Sequence, residues 1–532
     1  MAGQAERVIG KRRAAESRST IPPWTIDDLP EPKRLSWRNW ASFIGPGIVM
    51  MGIQIGGGEW LLGPTVTAKY GGGLMWLATV AIILQVFYNL ECGRYALYCG
   101  EPIFTGFMRC WPSPAFWIGV MLMLNVSALV PGLSTHAAAM IAALILNRTP
   151  TLDDRWLITP LAYACLIGVA LPVLVGGKVY NVLQSVMTAK VIIVLGFCLG
   201  LGLTCVSPNS WWNVFSGFVK FGNVPVSDGA GGEKVANLVL HRWQTGEWPV
   251  VSTASLVVLG AFAGYAGGGG LANSTYSNFV RDKGWGMGSR VGAIPSAIGG
   301  RSVSLSHVGK VFVLSAENMR RWRGWWKYVL TDQLIVWAPG CFMGMALPAL
   351  LSMQFAKHST VTPDQMAVAQ AIITADGLRN AGFSPMISQW LWLAALFTGL
   401  MVMLPSQMSI VDDFSRRWTD AIWSANRRVR QNMKPHQVKY IYYSILGGYV
   451  VWSFVCAYFF SNMPKLMTDF IANFNNLAIG VTSFQLLWIN HHLLPKVLRP
   501  SWYHSLGLLG CGVFYLGLAT LVFVYKIVPM LH

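Results

Sequence analysis

The chain has 532 residues, 54% of them hydrophobic and only 12% charged, with a formal net charge of +18. A soluble domain carries about 25% charged residues, so this composition excludes a soluble protein and implies a polytopic membrane protein. The positive excess is explained by topology and gives no support to a nucleic-acid partner.

Residues 1–40 are polar, basic and proline-containing. They lack the apolar core of about 7–15 residues that marks a signal peptide and read as a flexible cytoplasmic tail. A bilayer span takes about 20 apolar residues. Eleven candidate spans follow, near residues 43–66, 74–98, 115–143, 156–176, 184–206, 252–279, 328–351, 388–411, 440–461, 466–490 and 505–527. Most of the 40 Lys and Arg residues fall on the amino-terminal side of these spans, including Lys11-Arg12-Arg13, Arg320-Arg321 and Arg427-Arg428. The positive-inside rule therefore puts the amino terminus in the cytoplasm and the carboxyl terminus outside. Short loops on such a chain suit a multi-pass protein of a bacterial inner membrane. The nine cysteines form no Cys-x-x-Cys pair and read as small apolar packers, with no disulfide or metal assigned.

Span 1 is interrupted. Gly45-Pro46-Gly47 is followed after eight residues by Gly56-Gly57-Gly58-Glu59. Glycine costs about 1 kcal/mol per residue in a helix relative to alanine, and a lone acid at mid-bilayer costs from about 3 to over 10 kcal/mol. Such a segment is expected where a helix unwinds and turns its freed carbonyls toward a site. Span 6 carries a second break, Gly264-Tyr265-Ala266-Gly267-Gly268-Gly269-Gly270. Matched breaks in two halves point to the binding site of a secondary transporter. An odd number of spans per repeat inverts the second copy. The expected fold is an all-α five-plus-five inverted repeat with discontinuous helices 1 and 6. The expected boundaries are a tail at 1–40, a first repeat at 41–206, an extracytoplasmic loop at 207–251, a second repeat at 252–490 and an eleventh helix at 491–532. The loop 207–251 is rich in Trp, which suits the headgroup level.

Glu59 is the first candidate for ion binding. Set at the start of the second half-helix, where negative charge is favoured, with the carbonyls of Ile55, Gly56 and Gly57 nearby, it offers a hard oxygen site for a divalent metal, Na⁺ or a proton. The alternative is a carboxylate that only caps the half-helix. At the second break, Tyr265, Gly267, Gly268 and Asn273 would add backbone oxygen and an amide. The alternative there is close helix packing through small residues. Gln407, beside Ser406 in span 8, joins the ion-binding set. Asn125 and His136 in span 3, around Pro131-Gly132, are candidates for a proton relay or for structural hydrogen bonding. Glu91 and Arg94 at the inner end of span 2 are spaced to pair, as a gate latch or as plain topology. Lys190 lies about one turn inside span 5 and is expected to snorkel to the cytoplasm. Asp412 and Asp413 fall at the end of span 8, and Asp332 and Asp469 are expected at the membrane interfaces. The cytoplasmic loop 281–327 opens on Arg281-Asp282-Lys283-Gly284-Trp285-Gly286-Met287-Gly288. Without a strand, a helix and a Lys-Ser or Lys-Thr ending it is no phosphate cradle; it reads as a gate or as packing beneath spans 1 and 6.

Several of these motifs carry a resemblance. Gly45-Pro46-Gly47, the four-residue motif eight positions on, Lys69-Tyr70-Gly71 and Leu74-Met75-Trp76 resemble span 1 of the Nramp metal-ion transporters. Glu91-Cys92-Gly93-Arg94-Tyr95 through Gly100 is similar to the segment closing that family's span 2, and Ser406-Gln407-Met408-Ser409 to its Gly-Gln-Ser-Ser stretch. The resemblance implies an eleven-span, LeuT-like fold, an inward amino end and alternating access. The chain departs from the family at its chemistry: the metal-binding Asp of Asp-Pro-Gly-Asn corresponds to Gly56, its Asn to Glu59, and the Met of Met-Pro-His falls in the Gly267–Gly270 run. Without the thioether, Mn²⁺ or Fe²⁺ specificity does not carry over, and a harder ion or an organic solute becomes plausible. The expected function is secondary transport of a cation, a divalent metal first, with Glu59 as its ligand and protons as a candidate coupling ion. The alternatives are a cation-coupled symporter of a small organic solute and a non-transporting sensor or scaffold. No enzymatic constellation and no cofactor are expected; the partners are the transported ion and the bilayer.

Overall fold

The computed structural model describes residues 21–34, 45–130, 132–227, 232–252, 255–362, 365–460 and 464–528. Residues 1–20 and 35–40 of the tail, Pro131 and the Asp469 side chain lie outside the described residues. Nine helices among the described residues are long and apolar enough to cross a membrane. The interrupted first span and the helix Pro464–Leu493 stand where the remaining two of the eleven spans are expected.

Span 1 starts on Pro46, whose fixed φ suits a first helical residue, and runs as a helix over Pro46–Gln54. It resumes as a π turn, Gly58–Leu62, and an α-helix, Gly63–Tyr70. Span 6 is a helix over Leu256–Tyr265, a tight 3-10 segment over Gly270–Thr275 and a helix over Tyr276–Lys283. The two interruptions touch. A Cβ on Gly58 would stand 2.5 Å from the Tyr265 carbonyl oxygen, and one on Gly57 3.5 Å from the Tyr265 ring. Span 3 also departs from a continuous rod: it is built from Pro114–Leu124, Val126–Leu129 and Gly132–Leu146. Span 7 is longer than its apolar stretch, beginning at Ala316 inside the expected loop and passing through a π turn at Asp332–Trp337. Span 8 is a single helix over Pro385–Ala425. Its charged final turns hid its length, because their side chains are buried in ion pairs instead of facing water. The eleventh helix, Trp502–Val522, packs on span 10 through Gly512, where a Cβ would meet the Phe484 ring at 2.5 Å.

The expected tail requires a correction. Residues 21–34 are docked on the amino-terminal side of the membrane. Thr25 and Ile26 pair in parallel with Lys310 and Val311, so part of the loop 281–327 supplies a strand edge. The Trp24 indole donates to Glu101 at 2.9 Å, Trp325 to the Pro30 carbonyl at 2.8 Å and Tyr328 to the Lys33 carbonyl at 2.8 Å. Ile21 and Leu29 are buried, which gives this short segment the apolar anchors its polar flanks conceal. Burial alone would raise the Glu101 carboxyl, but the Arg109 guanidinium, the Trp24 indole and the Gly309 amide hold it below its ordinary value. On the opposite side a hairpin, Asn223–Ser227 with Glu233–Asn237, covers the outer ends of spans 1 and 6.

Candidate functional site

At the first break, Ile55 leaves helical geometry with ψ 77°. Each helix end leaves backbone groups without intrahelical partners. Here the chain supplies its own: the Gly56 amide donates to Glu59 Oε2 at 3.1 Å. Glu59 is fully buried, and its Oε1 has no hydrogen-bond partner among the described residues. Gly344 of span 7 leaves the room it needs, since a Cβ there would stand 2.8 Å from Ile55 and 3.6 Å from Glu59 Cγ. Lys190 does not snorkel. It is 1% exposed, donates to the Ser406 hydroxyl and interacts by charge with Glu59. Ser406 in turn donates to the Ile53 carbonyl at 3.3 Å. Spans 5 and 8 thus bring an ammonium and a hydroxyl to the interruption of span 1.

At the second break, Gly267, Gly269 and Gly270 have φ of 85°, 65° and 58°, a region that side-chain-bearing residues avoid. The unwound backbone is satisfied by a residue that sequence reasoning missed. Gln85 of span 2 accepts from the Gly268 amide at 2.8 Å and from Asn273 Nδ2 at 3.0 Å, and donates to the Ala266 carbonyl at 2.7 Å. A lone glutamine in the middle of an apolar span was the signal for it. Span 10 adds Asn476, which donates to the Gly260 carbonyl at 2.9 Å, and Asn475, which accepts from Ser127 at 2.9 Å.

Between the breaks lies a cavity with about 90 Å³ open to the centre of a water molecule, several times the ~10–15 Å³ one water requires. Of the expected ion-binding and relay residues, Gly57, Tyr265, Gly267, Gly268 and Asn125 line it. Gly56, Gly58, Glu59, Asn273, Gln407 and His136 stand outside its lining; the Gln407 carbonyl oxygen accepts from the Ser134 amide at 3.3 Å. Gln54, Ser127, Ser406, Ser409, Asp413, Arg417 and Asn475 complete the polar part of the wall. Among the described residues no group of three or more His, Cys, Asp or Glu side chains is arranged to hold a metal ion.

Asp332 is not interfacial. It is fully buried in the π turn of span 7, where it accepts from the Gly47 amide at 2.8 Å and the Tyr276 hydroxyl at 2.8 Å, capping the first half-helix of span 1 and tying it to the second half-helix of span 6. Below the cavity Arg281 pairs with Asp282 and Asp420, each at 2.7 Å, while Arg416 pairs with Asp282 and with Asp412 at 3.0 Å. These buried side chains join the end of span 6 to span 8. Glu91 and Arg94 do pair, at 2.9 Å, but with His504 and Asn490 also on the carboxylate, at 2.7 and 2.8 Å, and Trp326 beneath the guanidinium. They anchor the tenth and eleventh spans and do not reach the cavity.

No family model and no curated protein matches the chain. Solved structures do. A mutant of the manganese transporter of Eremococcus coleocola aligns with TM-score 0.58 at 11% identity, covering 95% of this chain and 90% of that one. The same transporter in complex with an aromatic bis-isothiourea substituted compound aligns with TM-score 0.55 at 12% identity, covering 96% and 99%. At such identities the likeness is one of fold, and the chain is a LeuT-like polytopic membrane protein, a five-plus-five inverted repeat whose first and sixth helices are broken.

Proposed function

We propose that the chain is a secondary transporter working by alternating access, that its cargo is a small polar organic solute, and that Glu59 and Lys190 carry the coupling charge. The amino terminus faces the cytoplasm and the membrane is a bacterial inner membrane. One observation carries the reading: the cavity between the breaks is walled by glycine backbone, Tyr265 and amides, with Glu59 behind the wall. A bare divalent ion needs several charged or carbonyl oxygens converging at about 2.0–2.6 Å. A wall of amides, an aromatic ring and exposed peptide groups suits the orientation of an organic molecule. Asp413 is the acid on this wall, and both its oxygens are engaged, by Thr275 and by Arg417.

Glu59 and Lys190 interact by charge beside the interruption of span 1, so a change of charge on either is felt where the helix must bend. Divalent-metal transport is the second reading, favoured by the fold shared with a manganese transporter; it requires Glu59 to turn into the cavity. Uptake into proteoliposomes, across a panel of divalent ions, amines, amides and organic acids with and without a proton gradient, tests both. Solute uptake lost in Glu59→Gln, with protein still in the membrane, supports the proposal. Uptake of Mn²⁺ alone replaces it with the metal reading, and movement of nothing in the panel favours a sensor or scaffold.

A further inference from the structure

We propose that the cargo carries a carboxylate, and that Arg417 and Gln54 are the residues that bind it; this rests on the transport reading above. Two side-chain atoms on the cavity wall are buried without a hydrogen-bond partner among the described residues: Gln54 Nε2 and Arg417 Nη1. Both are N–H donors. Buried polar groups in native structures are almost always paired, so two orphaned donors on one small cavity point to a ligand rich in acceptors.

The identity of each atom is fixed by its surroundings. Gln54 Oε1 accepts from the Trp337 indole and from Cys341 Sγ at 3.2 Å. An indole nitrogen only donates, so the amide cannot be reversed and its NH₂ must face the other way, toward the second break. Gly268 leaves the space for it: a Cβ there would stand 2.3 Å from Gln54 Nε2. Arg417 has Nη2 on the Asp413 carboxylate and Nε on the Asp413 carbonyl at 3.2 Å. Asp413 takes the Thr275 hydroxyl on its other oxygen, and the Phe104 ring lies 5.8 Å from the guanidinium carbon. The fork is thereby held on one side by Asp413, and Nη1 is left without a partner among the described residues. Gln54 and Arg417 are 5% and 3% exposed, so bulk water does not serve either donor. A guanidinium in a fixed orientation matches the oxygens of a carboxylate or a phosphate, and of the two the singly charged carboxylate suits a wall with one unpaired guanidinium nitrogen. The acid on the wall is already used, so the wall offers no second charge for an amine.

The test uses the full-length protein, purified in detergent for binding and reconstituted for exchange. Thermal shift is measured with acetate, pyruvate, benzoate and phenylalanine, each against its amide or methyl ester, and with chloride and phosphate. Acids that stabilise the protein while their amides and esters do not support the proposal. Arg417→Gln should then weaken acid binding by about 10–100-fold, the loss expected of a charge-assisted hydrogen bond, with Arg417→Lys between. Gln54→Leu, which leaves the ion pair intact, should weaken it less and serves if the arginine variants fail to fold. Equal stabilisation by acids and amides, by chloride or phosphate alone, or by no organic acid, overturns the carboxylate site. Exchange in proteoliposomes separates the two claims. Acids that bind through Arg417 but never cross sink the transport reading and spare the site. Amines or amides carried by Arg417→Gln as well as by the parent sink the site and spare the transport reading.

Discussion

The two breaks solve the same problem in different ways. Span 1 opens over three residues and repairs itself: Glu59, three positions on, turns back to accept from the Gly56 amide. Span 6 opens over a longer run whose backbone is held by Gln85 of span 2, with Asn475 of span 10 packed against Gly269 and Gly270. A self-capped break can shift with its own helix. A break held by neighbours is fixed to the frame that supplies them. The difference teaches that span 1 is the element free to bend at its interruption, while span 6 is seated on a scaffold of buried amides.

The sharpest way to break this comparison is to fill the second interruption. A Cβ on Gly269 would stand 1.8 Å from the Gly264 carbonyl oxygen, at a φ of 65°. Gly269→Ala is expected to abolish the folded state, seen as loss of monodisperse protein on size exclusion. Next in size is Lys190 at the first break. Lys190→Met takes the donor from the Ser406 hydroxyl and removes the ammonium that interacts by charge with Glu59, a loss expected to cost about 1–3 kcal/mol. The double variant with Glu59→Gln, read in thermal unfolding, isolates the charge interaction: a loss smaller than the sum of the two supports it, and additivity would show that the charges do not interact. Gln85→Leu strands the Gly268 amide, an Asn273 donor and the Ala266 carbonyl. At about 1–3 kcal/mol per buried unpaired group, it should destabilise by at least about 2 kcal/mol. The corresponding loss at span 1, Glu59→Gln, should be smaller because glutamine still presents an acceptor to Gly56.

A gentler probe acts where the outer ends of both broken helices meet. Glu233 accepts from Lys69 and Tyr70 at the end of span 1, and from Ser252 and Ser255 at the start of span 6. Burial raises its carboxyl, but these donors overcome that and bring it from 4.5 down to about 2. A carboxyl lowered in the folded state contributes stability above its unfolded value and loses it as the proton binds the fold. Protection of the hairpin amides against hydrogen exchange should therefore fall as pH drops from 4.5 toward 2, and Glu233→Gln should remove that step. The smallest effect belongs to Gly57→Ala. Its Cβ would meet Leu133 and Tyr265 at 3.5 Å, an ordinary contact, so the folded protein should be retained and any change confined to the volume of the cavity.

Both breaks, the span positions and the five-plus-five frame were legible because glycine runs and apolar stretches are local signals. The partners of the breaks were not, because they come from distant spans. Gln85 and Gln54 are single amides in apolar surroundings, and nothing nearby in sequence says what they face. Lys190 was misread because a membrane lysine close to a span end ordinarily reaches the headgroups, whereas here the Ser406 hydroxyl receives it, within the field of Glu59. The burial of Arg416 and Arg417 was not legible, since their acids, Asp412 and Asp413, lie one turn earlier on a helix whose continuation composition does not reveal. Asp332 looked interfacial for the same reason: span 7 extends beyond its apolar stretch.

The helix Pro385–Ala425 has a mechanical consequence. Its 41 residues rise about 1.5 Å each, or ~60 Å, twice the ~30 Å hydrocarbon layer. One rod carries Ser406, Asp413 and Arg417 at the cavity, while Arg416 and Asp420, on the same turns, pair with the end of span 6. The two features are thus joined: a displacement of the rod's projecting end is carried to the cavity wall, and any movement of this helix that parts its ion pairs with span 6 also moves the residues that line the cavity.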